Sequence, residues 1–267
     1  MVLQSSGAIS LTDIQTEFGG SNPIGMNEYY TGWTYVDSTA TTIPISGAIN
    51  LNNFYAKSKI YRIASSSTYY TLMTRYNSAY TIVQSGSDPN VQLQLASSSV
   101  GSAVTHSYAS NNLASYNTVT IEVEIYIDSA ALADAMFFYM GLTSAPTNGY
   151  IEGNFNSPGY QLNFEVYASN GTFAKGIHLV KNNTTTVTAS YNTTTHISST
   201  WLPVKIIYTK SATNTFQVFY NGTNILNYSA SDYATFVANA GSYWGFGART
   251  GGLSGSMFIR RVNVTAT

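Results

Sequence analysis

Four side chains that could do acid–base chemistry lie on one short apolar segment. Glu122, Glu124, Tyr126 and Asp128 alternate with Val and Ile residues, so in a regular strand they project to one face. Two carboxyls on one face are what retaining glycoside hydrolysis requires, because the acid and the nucleophile stand about 5–5.5 Å apart. An ordinary strand whose solvated face carries acids and a tyrosine gives the same pattern. We favour this second interpretation, because a catalytic motif needs its full geometric context.

The order of these acids also departs from that of a known enzyme group. Glycosidases of the concanavalin A-like superfamily align acids on one strand as Glu-x-Asp-x-x-Glu, or as a version one residue shorter. The present segment resembles that pattern, but Glu124 replaces the central Asp, and the distal acid, Asp128, stands at a different spacing. We therefore predict that the chain is not an enzyme, with a polysaccharide-degrading glycosidase as the alternative.

The sequence marks no metal site, and we predict no cofactor. Legume lectins hold two metals from a Glu-x-Asp pair on one strand, and Glu124-Ile125-Tyr126 lacks the second carboxylate. A single Ca²⁺ held by Asp88, Asp128 or Asp134 with carbonyl oxygens stays open, because oxygen ligands leave little trace in a sequence. The histidines are isolated, and we expect surface or strand positions for all of them: His106, His178 and His196.

The composition excludes several classes of partner. Charged residues make up 9% of the chain, against roughly 25% in an average soluble domain, and the net charge is −1. Nucleic-acid binding needs a basic field that neutralises phosphates, so we predict no nucleic-acid partner. The longest apolar stretch is far shorter than the ~20 residues that span a bilayer, so we predict no membrane insertion. The first residues lack a basic segment before a long apolar run, and we expect no secretory signal.

The first 58 residues contain a short repeat. Its copies share the order Ile, small or polar, Leu/Met, Thr/Asn, acid or amide, apolar, and they begin at Ile9, Ile24 and Ile49. The spacing predicts a brief extended segment that enters a single helical turn. The predicted N-caps of these turns are Thr12, Asn27 and Asn52.

The repeats create an apolar face that we expect to be too large for so short a segment to bury alone. The residues of that face are Ile9, Leu11, Ile14, Phe18, Ile24, Met26, Tyr29, Ile49, Leu51 and Phe54. Such a surface either aggregates or is covered by a partner. We therefore predict that residues 1–58 form an assembly module that does not fold alone and binds another protein or further copies of the chain.

The same segment resembles the N-terminal module of virion structural proteins. The similarity rests on Ser6–Gly20, Asn22–Ile24, Glu28–Tyr30 and Ile43–Ile49 and extends over about residues 5–58. It is to particle proteins of tailed phages of aquatic bacteria and of large DNA viruses of algae. The resemblance implies that residues 1–58 anchor the chain to capsid or tail/baseplate proteins, and it implies a location in the virion. A small folding cap on the following domain is the alternative, since short repeats often bury only their neighbours.

Residues 62–267 change to strand-like runs separated by Ser/Asn/Gly clusters. The predicted strands are Tyr69–Met73, Tyr80–Gln84, Val91–Leu95, Val119–Ile127, Met136–Leu142, Tyr160–Tyr167, Gly176–Val180, Thr186–Ser190, Pro203–Tyr208, Phe216–Tyr220, Ile225–Tyr228, Tyr243–Gly247 and Met257–Val264. About a dozen strands without a convincing helical pattern predict an all-β protein, an antiparallel jelly-roll sandwich behind a small mixed N-terminal module.

The late part of this region resembles legume-type and laminin-G-like sandwiches. The similarity rests on Phe216–Gly222 and Tyr243–Gly252, where an Asn-Gly hairpin is followed by a Gly-Phe-x-Ala-x-Thr-Gly strand. It implies a concanavalin A-like fold and a carbohydrate site formed by Asn221, Gly222, Tyr243, Trp244, Gly251 and Gly252. The alternative is that Trp244 and Phe246 pack in the core while the glycines only form turns.

These patterns predict a structural protein of a virus particle, a fibre, spike or capsid decoration. Residues 1–58 would anchor it, and residues 62–267 would display a sandwich that binds a glycan of the host surface. A particle-borne glycosidase and a free lectin are the alternatives.

Overall fold

The computed structural model divides the chain into two compact units. One comprises Met1–Ile63 together with Thr265–Thr267, and the other comprises Ala64–Val264. The structure describes residues 3–31, 35–36, 43–55, 57, 61–65, 74–76, 81–84, 92–96, 103–109, 113, 116–131, 134–142, 159–167, 174–181, 187–209, 214–230, 243–250 and 255–267. The predicted strand Tyr69–Met73 lies outside these residues. Within the described ranges, no helix is long and apolar enough to cross a membrane.

Each repeat of the first unit leads from an extended residue into a short helix. The helices are α1 (Leu11–Phe18) and two 3₁₀ helices, Met26–Tyr29 and Leu51–Phe54. In each repeat the N-cap N–H donates to the side chain three residues later at 2.8 Å: Ser10 to Asp13, Gly25 to Glu28 and Asn50 to Asn53. These bonds satisfy a donor that a helix start leaves free. The helices therefore begin two residues before the predicted starts, and the predicted N-caps Thr12, Asn27 and Asn52 are wrong.

The first unit has a hydrophobic core of its own. The rings of Phe18, Tyr29 and Phe54 form its centre, with centroids 5.7 to 6.3 Å apart. Ile9 and Ile14 are buried in the same cluster. The prediction of an uncovered apolar face is wrong for these five residues, because the helices direct their last side chains toward one another.

The other half of the predicted face remains partly accessible. Leu11, Ile24, Met26, Ile49 and Leu51 are half-buried and pack around the buried cluster. Three of them, Leu11, Met26 and Leu51, are the first residues of the three helices. The accessible apolar surface of the unit is therefore smaller than the sequence predicts.

Two equivalent turns precede the first and the third repeat. Gly7 and Gly47 occupy the two Ser-Gly-Ala tripeptides with φ of +95° and +84°, a region that side chains rarely adopt. The Gly7 carbonyl accepts a hydrogen bond from the Tyr55 hydroxyl, and the Gly47 carbonyl accepts one from Tyr30. The residues that follow the second and third helices thus hold the turns before other repeats.

The described residues form fifteen strands. They are β1 (Tyr61–Ser65), β2 (Thr74–Tyr76), β3 (Thr81–Gln84), β4 (Gln92–Ala96), β5 (Ala103–Ala109), β6 (Thr118–Ile127), β7 (Ala135–Leu142), β8 (Tyr160–Glu165), β9 (Gly176–Lys181), β10 (Val187–Tyr191), β11 (Leu202–Thr209), β12 (Asn214–Tyr220), β13 (Thr223–Ala230), β14 (Tyr243–Thr250) and β15 (Met257–Ala266). Three of them, β1, β2 and β5, escaped prediction, because Ser, Thr, Arg and His residues obscure their alternation.

The strands form two antiparallel sheets. The first sheet has the order β13-β12-β11-β6-β15-β4-β3, and β1 also pairs with β15. The second sheet has the order β10-β9-β8-β7-β14-β5-β2. Strands that are distant in sequence, such as β6 and β15, are neighbours, so the chain crosses between the sheets repeatedly.

A hydrophobic core lies between the two sheets. Every second residue of β6 is buried, as a strand with one face on a core requires. Tyr160 of the second sheet packs on Phe216 of the first, with ring centroids 4.7 Å apart. Trp244 and Phe246 are 1% and 2% exposed, so the interpretation that placed them in the core is the correct one.

The alternation of β15 is interrupted once. Arg261 has a φ of +53°, and Arg260 and Arg261 both lie outside the core. The buried positions therefore change from Met257 and Ile259 to Val262 and those that follow. The simple alternation predicted for this strand is wrong, and the irregularity places two successive arginines on one face.

Candidate functional site

The outer face of the first sheet, the face turned away from the second sheet, carries the acidic side chains of β6. Glu122, Glu124 and Tyr126 all lie on it, because the odd-numbered residues of β6 are buried in the core. This confirms that the acids share one face. Asp128 follows directly at the end of the strand.

A first row of side chains crosses this face at Glu122. Lys205 of β11 lies opposite Glu122, and Phe219 of β12 lies opposite Lys205. The Lys205 Nζ is 3.5 Å from Glu122 Oε1, and the Asn263 amide donates to Glu122 Oε2 at 3.2 Å. The ion pair is about half exposed, so water screens it and its contribution to stability is small.

The second row is centred on Glu124, and its ion pairs are tighter. Arg260 Nε donates to Glu124 Oε2 at 2.6 Å, and Arg261 Nη1 donates to Glu124 Oε1 at 2.8 Å. Both oxygens are engaged because the irregularity in β15 brings two successive arginines to this face. Pro203 of β11 lies on the other side of Glu124. The carboxylate is thus part of a structural network with two guanidinium groups.

The third row is aromatic. The ring of Tyr126 lies between Trp201 and Phe258, at centroid distances of 5.4 and 5.5 Å. Arg260 places its guanidinium carbon 4.2 Å from the centre of the Trp201 ring, a cation–π contact. Because Arg260 also binds Glu124, the second and third rows form one connected network.

Two concave regions lie on this face. The larger, which we call the charged groove, has a volume of about 490 Å³ and is lined by Glu122, Val123, Glu124, Pro203, Val204, Lys205, Ile207, Phe219, Gly222 and Arg261. The smaller, which we call the aromatic hollow, has a volume of about 270 Å³ and is lined by Tyr126, Asp128, Trp201, Ser256 and Phe258. Each combines apolar side chains with a few polar groups, as small-molecule sites do.

Asp128 borders the aromatic hollow in a defined orientation. Its Oδ1 accepts hydrogen bonds from the Ser199 hydroxyl at 3.1 Å and the Ala130 N–H at 2.9 Å. Ser199 also accepts from the Ser129 N–H at 2.7 Å. These bonds fix the carboxylate at the end of β6. The residues after Asp128 form a turn in which the Ala131 N–H donates to the Asp128 carbonyl.

Two of the residues considered for Ca²⁺, Asp128 and Asp134, are engaged by other groups of the protein. Asp128 is bound as described, and Asp134 pairs with Arg249 at 3.3 Å, so a cation already faces that carboxylate. Asp88 lies outside the described residues. Within the described part of the chain, no three His, Cys, Asp or Glu side chains come together, whereas Ca²⁺ takes six to eight oxygen ligands.

The four predicted carbohydrate residues that the structure describes do not form one group. Asn221 and Gly222 form the exposed turn between β12 and β13, and Gly222 lines the charged groove. Trp244 points into the core, and its ring is closed to any sugar. Tyr243 packs on the second sheet against a separate cluster. Gly251 and Gly252 lie outside the described residues. The proposed grouping is therefore wrong for Trp244, because strand alternation turns it inward.

The residues of the aromatic hollow were missed by sequence reasoning, except for Tyr126 and Asp128. Trp201 directly precedes β11 and Phe258 lies on β15, and these two strands flank β6 in the sheet. Their contact with Tyr126 depends on strand order, which no spacing in the sequence reveals. A tryptophan directly before an alternating strand was the one available signal.

The second sheet carries a row of polar side chains that solvent does not reach. Gln161, Asn163 and Glu165 of β8 are 0% exposed, and Asn163 Nδ2 donates to Glu165 Oε1 at 3.0 Å. His196 is equally buried, and its Nε2 bonds the Glu165 carbonyl at 2.9 Å. Burial lowers the pKa of His196 to about 4. Because these side chains are not accessible to solvent, a ligand cannot contact them.

Comparisons with known proteins identify the fold. No family model matches the chain, and no curated protein matches it. Among solved structures, peanut lectin with a 9mer peptide has a TM-score of 0.56 at 14% identity, covering 78% of this chain and 97% of the lectin. Lectin I-B4 from Griffonia simplicifolia, in a metal-free form, has a TM-score of 0.57 at 13% identity, covering 79% and 100%.

A third similar structure is the exoplasmic/lumenal domain of VIP36 in a form bound to Ca²⁺ and Man3GlcNAc. Its TM-score is 0.53 at 14% identity, covering 73% of this chain and 84% of that domain. At such identities the similarity concerns the fold alone. The predicted all-β, antiparallel concanavalin A-like sandwich is confirmed: residues of the second unit form a sandwich of the legume-lectin type.

Proposed function

We propose that the chain is a non-enzymatic, glycan-binding structural protein whose sandwich binds carbohydrate on the outer face of the first sheet. The observation on which this rests is the aromatic hollow. There the rings of Tyr126, Trp201 and Phe258 stand beside the fixed carboxylate of Asp128 and the hydroxyl of Ser256.

The chemistry of such a hollow suits a sugar ring. A pyranose has apolar C–H faces, which pack on aromatic rings, and hydroxyls at its edge, which need hydrogen-bond partners when they leave water. Asp128 has a second carboxylate oxygen, Oδ2, beside the Oδ1 that accepts hydrogen bonds from the Ala130 N–H and the Ser199 hydroxyl. One structure of the same fold holds Man3GlcNAc. That ligand belongs to the other protein, and it agrees with the proposal.

A catalytic role has no support from the charges on this face. Glycoside hydrolysis needs two carboxyls that flank one bond, whereas Glu122 bonds Lys205 and Asn263, and Glu124 bonds two arginines. We therefore propose that these acids organise the surface, and that a reducing-sugar release assay shows no hydrolysis by the wild type or by the variants Glu122→Gln, Glu124→Gln and Asp128→Asn.

We further propose that residues 1–58 attach the chain to a virus particle as a fibre, a spike or a capsid decoration. The resemblance of this segment to virion modules supports the proposal, and so do the apolar side chains that stay partly accessible around its core. The half-buried side chains of Leu11 and Leu51 are the contact residues in this proposal. Copies of the chain, capsid proteins or tail proteins are the proposed partners, and a host-surface glycan is the proposed ligand.

A glycan array probed with the full-length chain tests the binding proposal. Wild-type protein should bind a defined group of glycans, and Trp201→Ala should abolish or strongly weaken the signal. Tyr191→Ala is the control, because Tyr191 is a partly exposed tyrosine of the second sheet. Retained binding by Trp201→Ala, or equal loss in both variants, contradicts the proposed site. Mass spectrometry of purified particles distinguishes a virion protein from a free lectin.

A further inference from the structure

The charged groove and the aromatic hollow lie on the same face of the first sheet, and β6 contributes residues to both. Glu122 lines the groove and Tyr126 lines the hollow. Because a strand rises about 3.3 Å per residue, these two positions are separated by roughly 13 Å. A single sugar ring does not span that distance, whereas a short oligosaccharide does.

We propose that this face is one extended site for a linear, uncharged polysaccharide, with the charged groove as a second subsite. The inference rests on the proposed function, since it assumes that the aromatic hollow binds a sugar ring. It adds that the ligand is a polysaccharide rather than a single sugar. The polysaccharide crosses the row of side chains centred on Glu124, and its next sugar rings occupy the charged groove.

The groove offers the same two kinds of contact as the hollow. Phe219, Pro203 and Ile207 provide apolar surface, and the aliphatic stem of Lys205 lies between Phe219 and Glu122 in register. Carboxylate, ammonium and guanidinium groups also line it. A sugar ring can therefore pack its C–H face on the groove and direct its hydroxyls to the charged groups.

The charges on this face favour a neutral ligand. Three cations, Lys205, Arg260 and Arg261, lie beside three carboxylates, Glu122, Glu124 and Asp128. Their formal charges cancel, and Glu122 and Glu124 are bound directly by the cations. An acidic polysaccharide gains no net attraction from such a surface, and its charges would compete with the existing ion pairs.

Shape and polarity argue against self-association through the same face. Two concave regions of about 490 and 270 Å³ leave unfilled space if a second copy approaches with an equal surface. The half-exposed Glu122–Lys205 pair would also lose water on both copies, and the desolvation of ion pairs is costly. A narrow polyhydroxylated chain fits the concave regions and leaves the charges hydrated at its sides.

The test uses full-length protein and a ladder of uncharged oligosaccharides, from monosaccharide to hexasaccharide, of the glycan type selected on the array. Isothermal titration calorimetry should show affinity that rises with chain length and then levels off. Phe219→Ala should remove that gain, roughly tenfold for the longest ligands, because an anchoring ring is lost. The affinity for the monosaccharide should not change, since the aromatic hollow stays intact.

Gln217→Ala is the matched control. Gln217 lies on the same strand and the same face as Phe219 but does not line the groove. Ile207→Ala, which alters the groove from a different strand, should repeat the effect of Phe219→Ala and guards against a folding defect in one variant.

Four results would overturn the inference. Affinity that does not depend on the length of the oligosaccharide argues against the second subsite and leaves the aromatic hollow in place. Equal affinity of Phe219→Ala and Gln217→Ala for the hexasaccharide leads to the same conclusion. Preference for an anionic polysaccharide contradicts the charge argument. A change of oligomeric state in Phe219→Ala, measured by light scattering, assigns the groove to a second copy. Failure of every sugar to bind refutes the proposed function itself.

Discussion

At the scale of single residues, Glu124 and Glu122 provide a matched pair. They lie on the same strand and face, but the Glu124 side chain is 18% exposed and bonded to two arginines, whereas Glu122 is 47% exposed. Glu124→Gln should lower the free energy of unfolding by about 1–3 kcal/mol, because short hydrogen bonds to charged groups are lost. Glu122→Gln should cost less than about 1 kcal/mol.

Urea unfolding of both variants measures the difference. A cost of Glu122→Gln equal to that of Glu124→Gln would show that the Arg260–Arg261 network does not stabilise the face. Addition of salt should weaken the Glu122 contribution more than that of Glu124, since exposed charges are screened more strongly.

His196 makes stability depend on pH. Burial is the main cause that lowers its pKa from 6.5 to about 4, so the folded protein resists protonation while the unfolded chain accepts a proton below about pH 6.5. Stability should therefore be highest above pH 6.5, fall as the pH decreases toward 4, and lose about 3 kcal/mol at most from this group. His178, whose pKa burial also lowers, acts in the same direction.

The variant His196→Gln isolates this effect. Its amide can still donate to the Glu165 carbonyl, as the His196 ring does, but it does not titrate. The decrease in urea midpoint between neutral pH and pH 4 should be smaller in the variant than in the wild type. Equal decreases would exclude His196 as the cause.

At the scale of elements, the sequence predicts the strands and turns that depend on local alternation of apolar and polar residues. It does not predict the contacts that depend on which strands pair in a sheet. The β6 segment was recognised because its apolar residues alternate strictly, and its acids share a face as expected. The turn at Asn221 and Gly222 was recognised from the dipeptide alone. Such features are set by residues that are neighbours in sequence.

The contacts of the aromatic hollow have a different origin. Trp201 meets Tyr126 only because β11 pairs with β6 in the first sheet. The double arginine contact with Glu124 requires the positive φ of Arg261, a conformation that is uncommon outside glycine and is not signalled by an arginine. Strand order and a local irregularity, rather than composition, therefore assemble this face.

The core of the first unit permits a direct test of its repeats. The Phe54 ring is fully buried and contacts Phe18 and Tyr29. Phe54→Ala should destabilise this unit by about 3–5 kcal/mol, because it leaves a cavity among the three rings. Ile45→Ala is the control, since Ile45 is 72% exposed.

Hydrogen exchange of the full-length chain can localise the effect. Exchange should increase in peptides from residues 5–58 of the Phe54 variant and remain unchanged in the Ile45 variant. Unchanged exchange in both would mean that the aromatic cluster does not hold the three repeats together.

At the scale of the whole molecule, the anchoring proposal depends on the half-buried residues of the first unit. Leu11→Asp combined with Leu51→Asp introduces two charges into the accessible apolar surface while the buried rings remain. The variant should fold its sandwich but fail to enter virus particles, because burying an unpaired charge at an interface is costly.

A control with the same added charge is available one residue away in each helix. Thr12→Asp combined with Asn52→Asp changes exposed positions of the first and third helices, and it should be incorporated normally. Normal incorporation of the leucine variant would leave residues 1–58 as a folding cap. Equal exclusion of both variants would indicate that added charge alone prevents assembly.

The central claim is that a glycan covers the outer face of the first sheet, and tryptophan fluorescence tests it directly. The chain has three tryptophans, so Trp33→Phe leaves Trp201 in the aromatic hollow and Trp244, which is 1% exposed and shielded in the core. In that variant, a saturating glycan from the array should protect Trp201 and reduce fluorescence quenching by acrylamide. The additional substitution Trp201→Phe should abolish the protected signal. Glycan binding confirmed by calorimetry, with no change in the quenching of Trp201, would contradict the account and place the ligand elsewhere on the molecule.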